Sequence, residues 1–479
     1  MKTRKVTAFL LALAAAASAM TMPVSAVDMF GDIDADGDVD AADAAWILQY
    51  AAYTGAGGKL DLQGFVNGEP EPEQPDYHLT DTDDTLTILT WRESDAKAMQ
   101  ELYQKHYPEA KIEFIVPVLN GMDAKNNFAR IVQDNPEIDL YFVETDWCRE
   151  FIDDPELSVP LSALGLTEND YISAYPFAQA LGTNANGELA AAAAELAPGV
   201  YCYNTDIAEQ YLGVKTPAEM EQEFSIWDDF LNMGSILQRE SEGRITVAAS
   251  MSDLWNAFTC CTDMPWVTDG KLNLDKAEYC ISWCRQFMDE GSISKTTLPW
   301  TPEWSDAGLN SETLGYFYAS WCLGDDLMLE QNGGANGNWR AVPVPTSYYW
   351  GGTYLCISPN CDSSTEAARF MKCFTTDAAT MKEYSDATGI YVNNQTAVLN
   401  QTMEQTEGNP LLGGQKDLSI LHRAAQKITA DPTTITKYDE ELENLCYLAL
   451  MQNPDESVEK ILEIYADTAY AEFPELEAE

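Results

Sequence analysis

The sequence is poor in basic residues. Its 479 residues include 27 Lys and Arg against 78 Asp and Glu, which gives a formal charge of −51. A surface this acidic repels the phosphates of nucleic acids and of anionic lipids, so we expect no nucleic-acid partner. Apolar residues nevertheless make up 46% of the chain. At about 100 to 200 residues per domain, the chain should form two or three folded units.

The sequence also lacks the patterns of a zinc site and of a disulfide framework. It has three His, no CxxC pair and eleven Cys, a number that cannot be fully paired. We expect most of these cysteines to be buried as small apolar side chains.

Residues 1–26 carry the features of an export signal. Lys2, Arg4 and Lys5 precede an apolar stretch from Val6 to Ala19, and residues 24–26 read VSA, which fits signal peptidase. We predict a signal peptide cleaved near Ala26 and a secreted, extracellular protein that associates with the cell surface. No Cys stands at the cleavage site, so there is no lipobox, and no later stretch reaches the roughly 18 apolar residues of a membrane span.

Residues 31–43 read GDIDADGDVDAAD and match the spacing of a calcium loop. Carboxylates fall at positions 1, 3, 5, 9 and 12 if Asp32 is position 1, and Gly37 at position 6 permits the sharp turn. The predicted metal ligands are Asp32, Asp34, Asp36, Asp38 through its backbone carbonyl, Asp40 and Asp43. Calcium is therefore the predicted cofactor; an acidic linker is the alternative interpretation.

Asp43 at position 12, with one following helix predicted from about Ala42 to Tyr53, resembles one repeat of a type I dockerin. Dockerins normally carry two such repeats and dock onto cohesin modules of cellulosomes or of the cell surface. The resemblance covers residues 27–54 and implies a small EF-hand-like calcium loop and helix, with a cohesin as a partner. Positions 10 and 11, often Ser-Thr in dockerins, are Ala41 and Ala42 here, a departure that affects cohesin recognition more than calcium binding.

Residues 55–84 read as a flexible linker. They contain a glycine-rich stretch and then EPEPEQP, in which Pro and like charges extend the chain and oppose burial.

From Thr85 onward, strands and helices alternate. The pattern predicts strands at 85–91, 111–116 and 139–143, helices at 95–106 and 126–134, and therefore an α/β domain with a mainly parallel sheet. Further helices are predicted at 418–429, 440–451 and 457–473.

Parallel sheets bind ligands at the carboxyl ends of their strands. Those ends hold Trp91, Glu93, Glu144, Asp146 and Trp147. Aromatic rings beside carboxylates suit a sugar, whose C–H face stacks on a ring and whose hydroxyls donate to carboxylate oxygens. A lone Trp is also common in a core, which is the alternative for each ring.

Two later segments add aromatic candidates. Trp300 and Trp304 lie in a Pro-containing loop, and exposed rings there would be costly unless a ligand or partner covers them. Trp350 is followed by Gly351 and Gly352, which let the backbone approach a ligand closely because Gly has no Cβ. An ordinary turn before a strand is the alternative for this second segment.

Several segments carry a family likeness together. They read DLYFVETDWCREF at 139–151, ELAPGVYCYNTDIAEQY at 195–211, GYFYASWCLGDD at 315–326, GNWRAVPVP at 337–345 and WGGTYLCISP at 350–359. In this order they resemble an extracellular solute-binding protein of family 1, the carbohydrate-binding receptors of ABC importers.

That resemblance implies a two-lobed, periplasmic-binding-protein-like α/β fold of the class II type. The solute would be trapped between lobes joined by crossing strands and delivered to a membrane permease. Lobe 1 would span about 85–195 and 350–393, and lobe 2 about 196–349 and 394–479, within a body of residues 85–479. The expected ligand-binding residues are Trp91, Glu93, Glu144, Asp146, Trp147, Glu195, Tyr201, Trp300, Trp304, Trp321, Trp350, Gly351 and Gly352.

The sequence therefore predicts a monomeric carbohydrate receptor and not an enzyme. One alternative is a non-transporting sugar sensor or adhesin held on a cohesin scaffold. Another is a dockerin-bearing glycoside hydrolase acting on polysaccharides, which would need two carboxylates about 5 to 9.5 Å apart.

Overall fold

The computed structural model of the chain describes residues 33, 39, 41–55, 62–68, 77, 79–118, 121–260, 264–323 and 328–476. The chain divides into two compact units, residues 1–76 and 77–479. The predicted signal peptide and the predicted ligands Asp32, Asp34, Asp36, Asp38 and Asp40 lie outside the described residues. No helix within the described ranges is long and apolar enough to cross a membrane.

The first unit contains α1 (Ala41–Gly55) and α2 (Leu62–Val66). α1 confirms the helix predicted after the acidic loop. α2 corrects the linker prediction, because it places a helix inside residues 55–84. The ring of Phe65 packs against Trp46, Tyr50 and Tyr53 of α1, with centroid distances of 4.6 to 6.0 Å, so one aromatic side chain docks this segment on α1.

The second unit combines strands with many helices. Its strands are β1 (Thr85–Leu89), β2 (Lys111–Ile115), β3 (Leu140–Glu144), β4 (Ala191–Asn204), β5 (Val267–Thr268), β6 (Lys271–Leu272), β7 (Gly315–Ala319), β8 (Trp339–Val342) and β9 (Tyr349–Ile357). Its α-helices up to β7 are α3 (Glu93–His106), α4 (Gly121–Asp134), α5 (Cys148–Ile152), α6 (Pro176–Leu181), α7 (Thr205–Ile207), α8 (Pro217–Glu223), α9 (Trp227–Glu240), α10 (Met251–Thr259), α11 (Leu274–Glu290) and α12 (Pro302–Leu309). Those that follow β7 are α13 (Ser320–Leu323), α14 (Met328–Gln331), α15 (Ser364–Thr375), α16 (Ala378–Thr388), α17 (Gln395–Glu404), α18 (Asp417–Ala425), α19 (Asp439–Gln452) and α20 (Val458–Glu472). The strands and helices predicted between residues 85 and 143, and the three predicted C-terminal helices, are confirmed with ends moved by a few residues.

The main sheet has mixed strand directions. Its order is β2-β1-β3-β9-β4-β7, and β8 also pairs with β4. β1 runs parallel to β2 and β3, as predicted. The prediction of a mainly parallel sheet is wrong beyond β3, because β9 enters from far downstream and pairs antiparallel with both β3 and β4. β4 also pairs antiparallel with β7 and β8.

β4 connects two apolar cores. Its residues Ala191–Ala194 are buried in the first core. Further along, Tyr201 and Tyr203 are buried in the second core, while the alternating Val200 and Cys202 remain in the first. β4 has 14 residues, which at about 3.3 Å per residue is long enough to contact both cores. β9 runs beside it, so two neighbouring strands link the cores.

The cores also show which C-terminal helices pack where. Buried residues from Ala397 to Ile428 belong to the first core, and those from Leu442 to Leu476 belong to the second. This differs from the predicted lobe boundaries, which assign all of residues 394–479 to lobe 2, because the two groups of helices pack in different cores.

Nine of the ten cysteines that the structure describes are buried. This confirms the expectation that most cysteines serve as small apolar side chains.

Candidate functional site in the cleft between the two cores

A cavity of about 290 Å³ lies between the two cores. The first core supplies residues that follow β3, including Thr145, Asp146 and Arg149. The second core supplies one wall from α10 and another from α19. Residues at the start of β9, one of the two strands that link the cores, line the cavity as well. The α10 residues and the residue after its end are Ser252, Trp255, Asn256 and Cys260, and those of α19 are Asp439, Glu440, Glu443, Asn444 and Tyr447.

A second cavity of about 380 Å³ adjoins the first. The two share Leu181, Cys260, Tyr349 and Glu443 among their lining residues. The cleft is therefore longer than either cavity alone.

Aromatic side chains form part of the cleft walls. Trp255 is 3% exposed, and Tyr349 and Trp350 are half-buried at the start of β9. The Trp350 ring contacts Trp321 and Trp300 at centroid distances of 5.6 and 5.7 Å. The Trp321 indole N–H donates to the Trp350 carbonyl oxygen at 3.0 Å. Three indoles thus form one aromatic cluster, of which Trp350 reaches the cleft.

Trp300 has an unusual backbone conformation. Its φ is +67°, in the left-handed region that bulky residues seldom adopt, and its side chain remains 51% exposed. Strain of this kind often marks a residue that is held in place for binding.

Polar side chains of α19, two of them acidic, recur on one helix face. Residues 439, 443 and 447 are spaced by four, which places them one above the other toward the cleft. Glu443 accepts a hydrogen bond from the Thr259 hydroxyl at 2.6 Å. Glu440 forms an ion pair with Lys125 of α4, so this contact joins a helix of the first core to one of the second.

Burial shifts the protonation of these carboxyl groups. It raises the pKa of Glu443 to about 7 and also raises the pKa of Asp439. The pKa of Asp146 lies well above its usual value, because the surrounding protein removes bulk water and because Glu144, Glu440 and Glu443 repel its charge. Asp146 is nevertheless exposed toward the interior of the cavity, so a solute in the cleft can reach its carboxylate.

Comparison with known proteins identifies the family. The model of the bacterial extracellular solute-binding protein family matches residues 97–410. The chain belongs to this family. Membership makes it a solute-binding protein and not an enzyme, as the sequence predicts. No match was found among curated proteins.

Solved structures share the fold of this solute-binding protein. A crystal structure of an extracellular solute-binding protein of family 1 is 17% identical with a TM-score of 0.71, covering 81% of this chain and 99% of that one. The galacto-N-biose-/lacto-N-biose I-binding protein of the ABC transporter from Bifidobacterium longum, in complex with lacto-N-biose, is 16% identical with a TM-score of 0.61, covering 82% and 98%. A cyclo/maltodextrin-binding protein complexed with maltotetraose is 11% identical with a TM-score of 0.62, covering 82% and 97%. These likenesses confirm the predicted two-lobed α/β fold.

Some predicted site residues of the solute-binding protein meet at the cleft. Asp146 and Trp350 line the cavity, and Trp300 and Trp321 contact Trp350. Glu144 accepts a hydrogen bond from the Trp147 side chain, and burial raises its pKa.

Trp91 and Glu93 lie outside both cavities. The Trp91 ring packs on Phe128 and Trp147 at centroid distances of 5.8 and 5.6 Å. Glu93 is exposed in the first turn of α3, where a carboxylate favours the positive end of the helix dipole.

Three aromatic residues that are predicted ligand contacts are buried in the protein core. Trp147 is 4% exposed, and Tyr201 and Trp304 are fully buried. The Tyr201 hydroxyl donates to the Val247 carbonyl oxygen at 2.5 Å. These rings face the apolar cores and line neither cavity. The prediction failed for them because neighbouring side chains of a strand or helix point to different faces, and the sequence does not show which face meets the cleft.

Glu195 is also buried, at 4% exposure. Its carboxylate pairs with Arg92 at 3.0 Å and accepts hydrogen bonds from Tyr384 and Thr353, both at 2.9 Å. These partners tie β4 to α16 and β9, which is a structural role.

Gly351 and Gly352 keep β9 close to the segment after β3. Their φ values are +86° and +121°. A Cβ on Gly352 would lie 2.7 Å from the Thr145 Oγ1 atom, and that hydroxyl donates to the Gly351 carbonyl oxygen at 3.1 Å. The two glycines therefore let the backbone of β9 lie against Thr145, on the cleft wall beside Trp350.

The sequence analysis missed the residues of α10 and α19 that line the cleft. It predicts the α19 helix but not its function. The signal was present, since Asp439, Glu443 and Tyr447 place polar groups on one face of a helix otherwise needed for the core.

Of the predicted calcium loop, the structure describes residues 33, 39 and 41–43. Asp43 is 4% exposed, and its Oδ1 atom accepts a hydrogen bond from the Ile33 amide at 2.6 Å. This contact joins positions 2 and 12 of the predicted loop. Within the described residues, no group of three or more His, Cys, Asp or Glu side chains could hold a metal ion.

Proposed function

We propose that this solute-binding protein captures a sugar or oligosaccharide between its lobes and delivers it to the permease of an ABC importer. The supporting observation is the cleft itself, in which Trp350, Tyr349 and Trp255 stand beside the carboxylates of Asp146 and Glu443. Rings of this kind stack on the C–H faces of sugars, and carboxylates accept from their hydroxyls. Solved proteins of the same fold hold lacto-N-biose and maltotetraose.

Calorimetric titration of the full mature chain with mono- and oligosaccharides tests this proposal. We expect saturable binding of one sugar class and recovery of the unchanged sugar afterwards. The variant Trp350→Ala should weaken that binding about tenfold, because an aromatic contact contributes about 1 kcal/mol beyond its buried area. Trp46→Ala, in the first unit, is the matched control and should leave the affinity unchanged.

Two results would contradict the proposal. Absence of binding by every saccharide would exclude a sugar as the solute. Release of cleaved sugar would instead favour the alternative of a glycoside hydrolase.

We further propose that residues 31–43 bind one calcium ion and that this dockerin-like unit attaches the secreted protein to a cohesin at the cell surface. The loop spacing supports calcium, since hard oxygen ligands at alternating positions suit this ion. The buried carboxylate of Asp43 supplies an oxygen at the position where the loop meets α1. Calcium bound there would hold the loop against α1 and so stabilise the first unit.

Fluorescence of Trp46 during titration with calcium tests this second proposal. We expect a saturable change at one equivalent, which Asp43→Ala abolishes. Asp467→Ala, exposed on α20, is the matched control. If calcium does not bind the intact chain, residues 31–43 are not a calcium site. If calcium binds but the protein does not capture purified cohesin, the calcium site stands and the attachment to a cohesin is excluded.

A further inference from the structure

We infer that the solute is a saccharide carrying an ammonium group, as in an amino sugar, and that Asp146 receives this group. The inference rests on the proposed function, because it concerns the same cleft. The inference goes further by giving the solute a positive charge, because a protein can bind a sugar that has no charge.

The cleft carries more negative than positive groups. Four carboxylates and one guanidinium line the first cavity. With Glu144 and Lys125, which act on Asp146, and with Asp431 and Lys276 of the second cavity, the balance is six carboxylates against three cations. The carboxylates are Glu144, Asp146, Asp431, Asp439, Glu440 and Glu443, and the cations are Lys125, Arg149 and Lys276.

Each of the three cations already has partners in the protein. Lys125 forms its ion pair with Glu440. The Arg149 guanidinium bonds to Asp153 at 3.3 Å and to the carbonyl oxygens of residues 183 and 432 at 2.6 and 3.2 Å. Lys276 lies over the Trp266 ring at 4.6 Å. Among the residues that the structure describes, the lining of the two cavities includes no cation besides Arg149 and Lys276.

Asp146 is the carboxylate that lacks a partner. Among the described residues it has no hydrogen bond and no ion pair, whereas Asp439 and Glu443 accept from Thr436 and Thr259. It is exposed, lines the cavity and lies two residues after Glu144, which ends β3. A donor from the solute would complete its hydrogen bonding.

The aromatic walls favour a cation for a separate reason. Trp255, Tyr349 and Trp350 line the same cavity as Asp146, and an ammonium group gains energy over the face of an indole or phenol ring. Carboxylates next to such rings are therefore complementary to a positively charged solute that also has C–H faces.

Lobe closure strengthens the argument. A neutral sugar that displaces water from the cleft leaves these carboxyl groups in a less polar environment, where the raised pKa of Asp146 favours its uncharged form. A cation in the same place reverses this effect, because the carboxylates then stabilise it.

Calorimetry of the full mature chain with matched saccharides tests the inference. The three probes are the β-1,4-linked dimers of glucosamine, N-acetylglucosamine and glucose, which differ only in the group on C2. We expect the glucosamine dimer to bind about tenfold more tightly than the glucose dimer, because a hydrogen bond to a charged group exceeds a neutral one. We also expect this preference to shrink at high salt, which screens charges.

Variants identify the receiving carboxylate. Asp146→Asn keeps the shape of the side chain and removes its charge, so we expect the preference for the amine over the hydroxyl form to fall about fivefold or more. Asp467→Asn, which removes an exposed charge on α20, should leave the preference as it is.

The outcomes separate this inference from the proposed function. Equal binding of the three dimers would show that the solute needs no ammonium group, and it would leave the proposal of a saccharide solute standing. Binding of spermidine, a polyamine without a sugar ring, by a protein that binds none of the dimers would overturn the saccharide and with it this inference. A preference that survives in Asp146→Asn would overturn the role of Asp146.

Discussion

At the residue scale, Asp253 of α10 is a carboxyl group in an apolar environment. It is fully buried, and its Oδ2 atom accepts a hydrogen bond from the Trp304 indole N–H at 2.7 Å. Burial raises its pKa to about 7, since the charged form loses its hydration and gains no cation in return.

This carboxyl group makes stability depend on pH. In the unfolded chain an Asp titrates near 3.9, so between about pH 4 and 7 the folded chain binds more protons, and stability falls as the pH rises. Relative to the wild type, Asp253→Asn should gain about 3 kcal/mol of unfolding free energy between about pH 4.5 and about pH 7.5. Urea denaturation at both pH values measures this gain. Parallel changes in the variant and the wild type would contradict the account.

Glu195 is also a buried carboxylate, but unlike Asp253 it is paired with a cation and accepts hydrogen bonds from two hydroxyl groups. We expect Glu195→Gln to lower the unfolding free energy by about 1 to 3 kcal/mol, because Arg92 loses its charged partner within the same contacts. Glu93→Gln, on the exposed start of α3, should change it by less than about 0.5 kcal/mol. Equal effects of the two substitutions in urea denaturation would show that the Arg92 pair contributes nothing.

At the element scale, the close contact between β9 and the segment after β3 depends on Gly352. Alanine there would combine a left-handed backbone with a Cβ 2.7 Å from Thr145 Oγ1. Gly187 also has a positive φ, +76°, but open space around it, so Gly187→Ala isolates the backbone cost of about 1 kcal/mol. We expect Gly352→Ala to lower the unfolding free energy by at least about 1 kcal/mol more than Gly187→Ala. Equal losses of unfolding free energy would mean that the Thr145 side chain moves away from the added Cβ at no cost.

The same element shows what a sequence can and cannot predict. The local periodicity of residues 85–143 was sufficient for β1 to β3 and α3, because parallel strands alternating with helices leave a regular pattern. The insertion of β9 between β3 and β4 left no local pattern in the sequence, since it joins segments far apart in the chain. The cleft residues also divide into those that a local pattern indicates and those that only long-range packing brings in. Trp350 and Asp146 stand beside strands and could be predicted, whereas the α19 face became part of the site only through tertiary packing.

At the scale of the whole molecule, the formal charge of −51 acts on folding and on association. Repulsion among like charges disfavours the compact state, and salt shortens its range from about 30 Å at 0.01 M to about 3 Å at 1 M. We expect the thermal midpoint to rise when sodium chloride is increased from about 0.01 M to about 0.5 M. Differential scanning calorimetry measures it, with equiosmolar sucrose as the uncharged control. A midpoint that responds equally to salt and sucrose would exclude a screening effect.

Cys260 offers a practical use of the cleft. Among the described cysteines it is the one that is not buried, and it lines both cavities where the two lobes meet. Its sulfur lies 3.8 Å from the Tyr349 carbonyl oxygen, beside the crossing strands. A fluorophore introduced at this position would therefore lie where hinge closure changes its surroundings. The labelled protein would report its own solute as an optical biosensor.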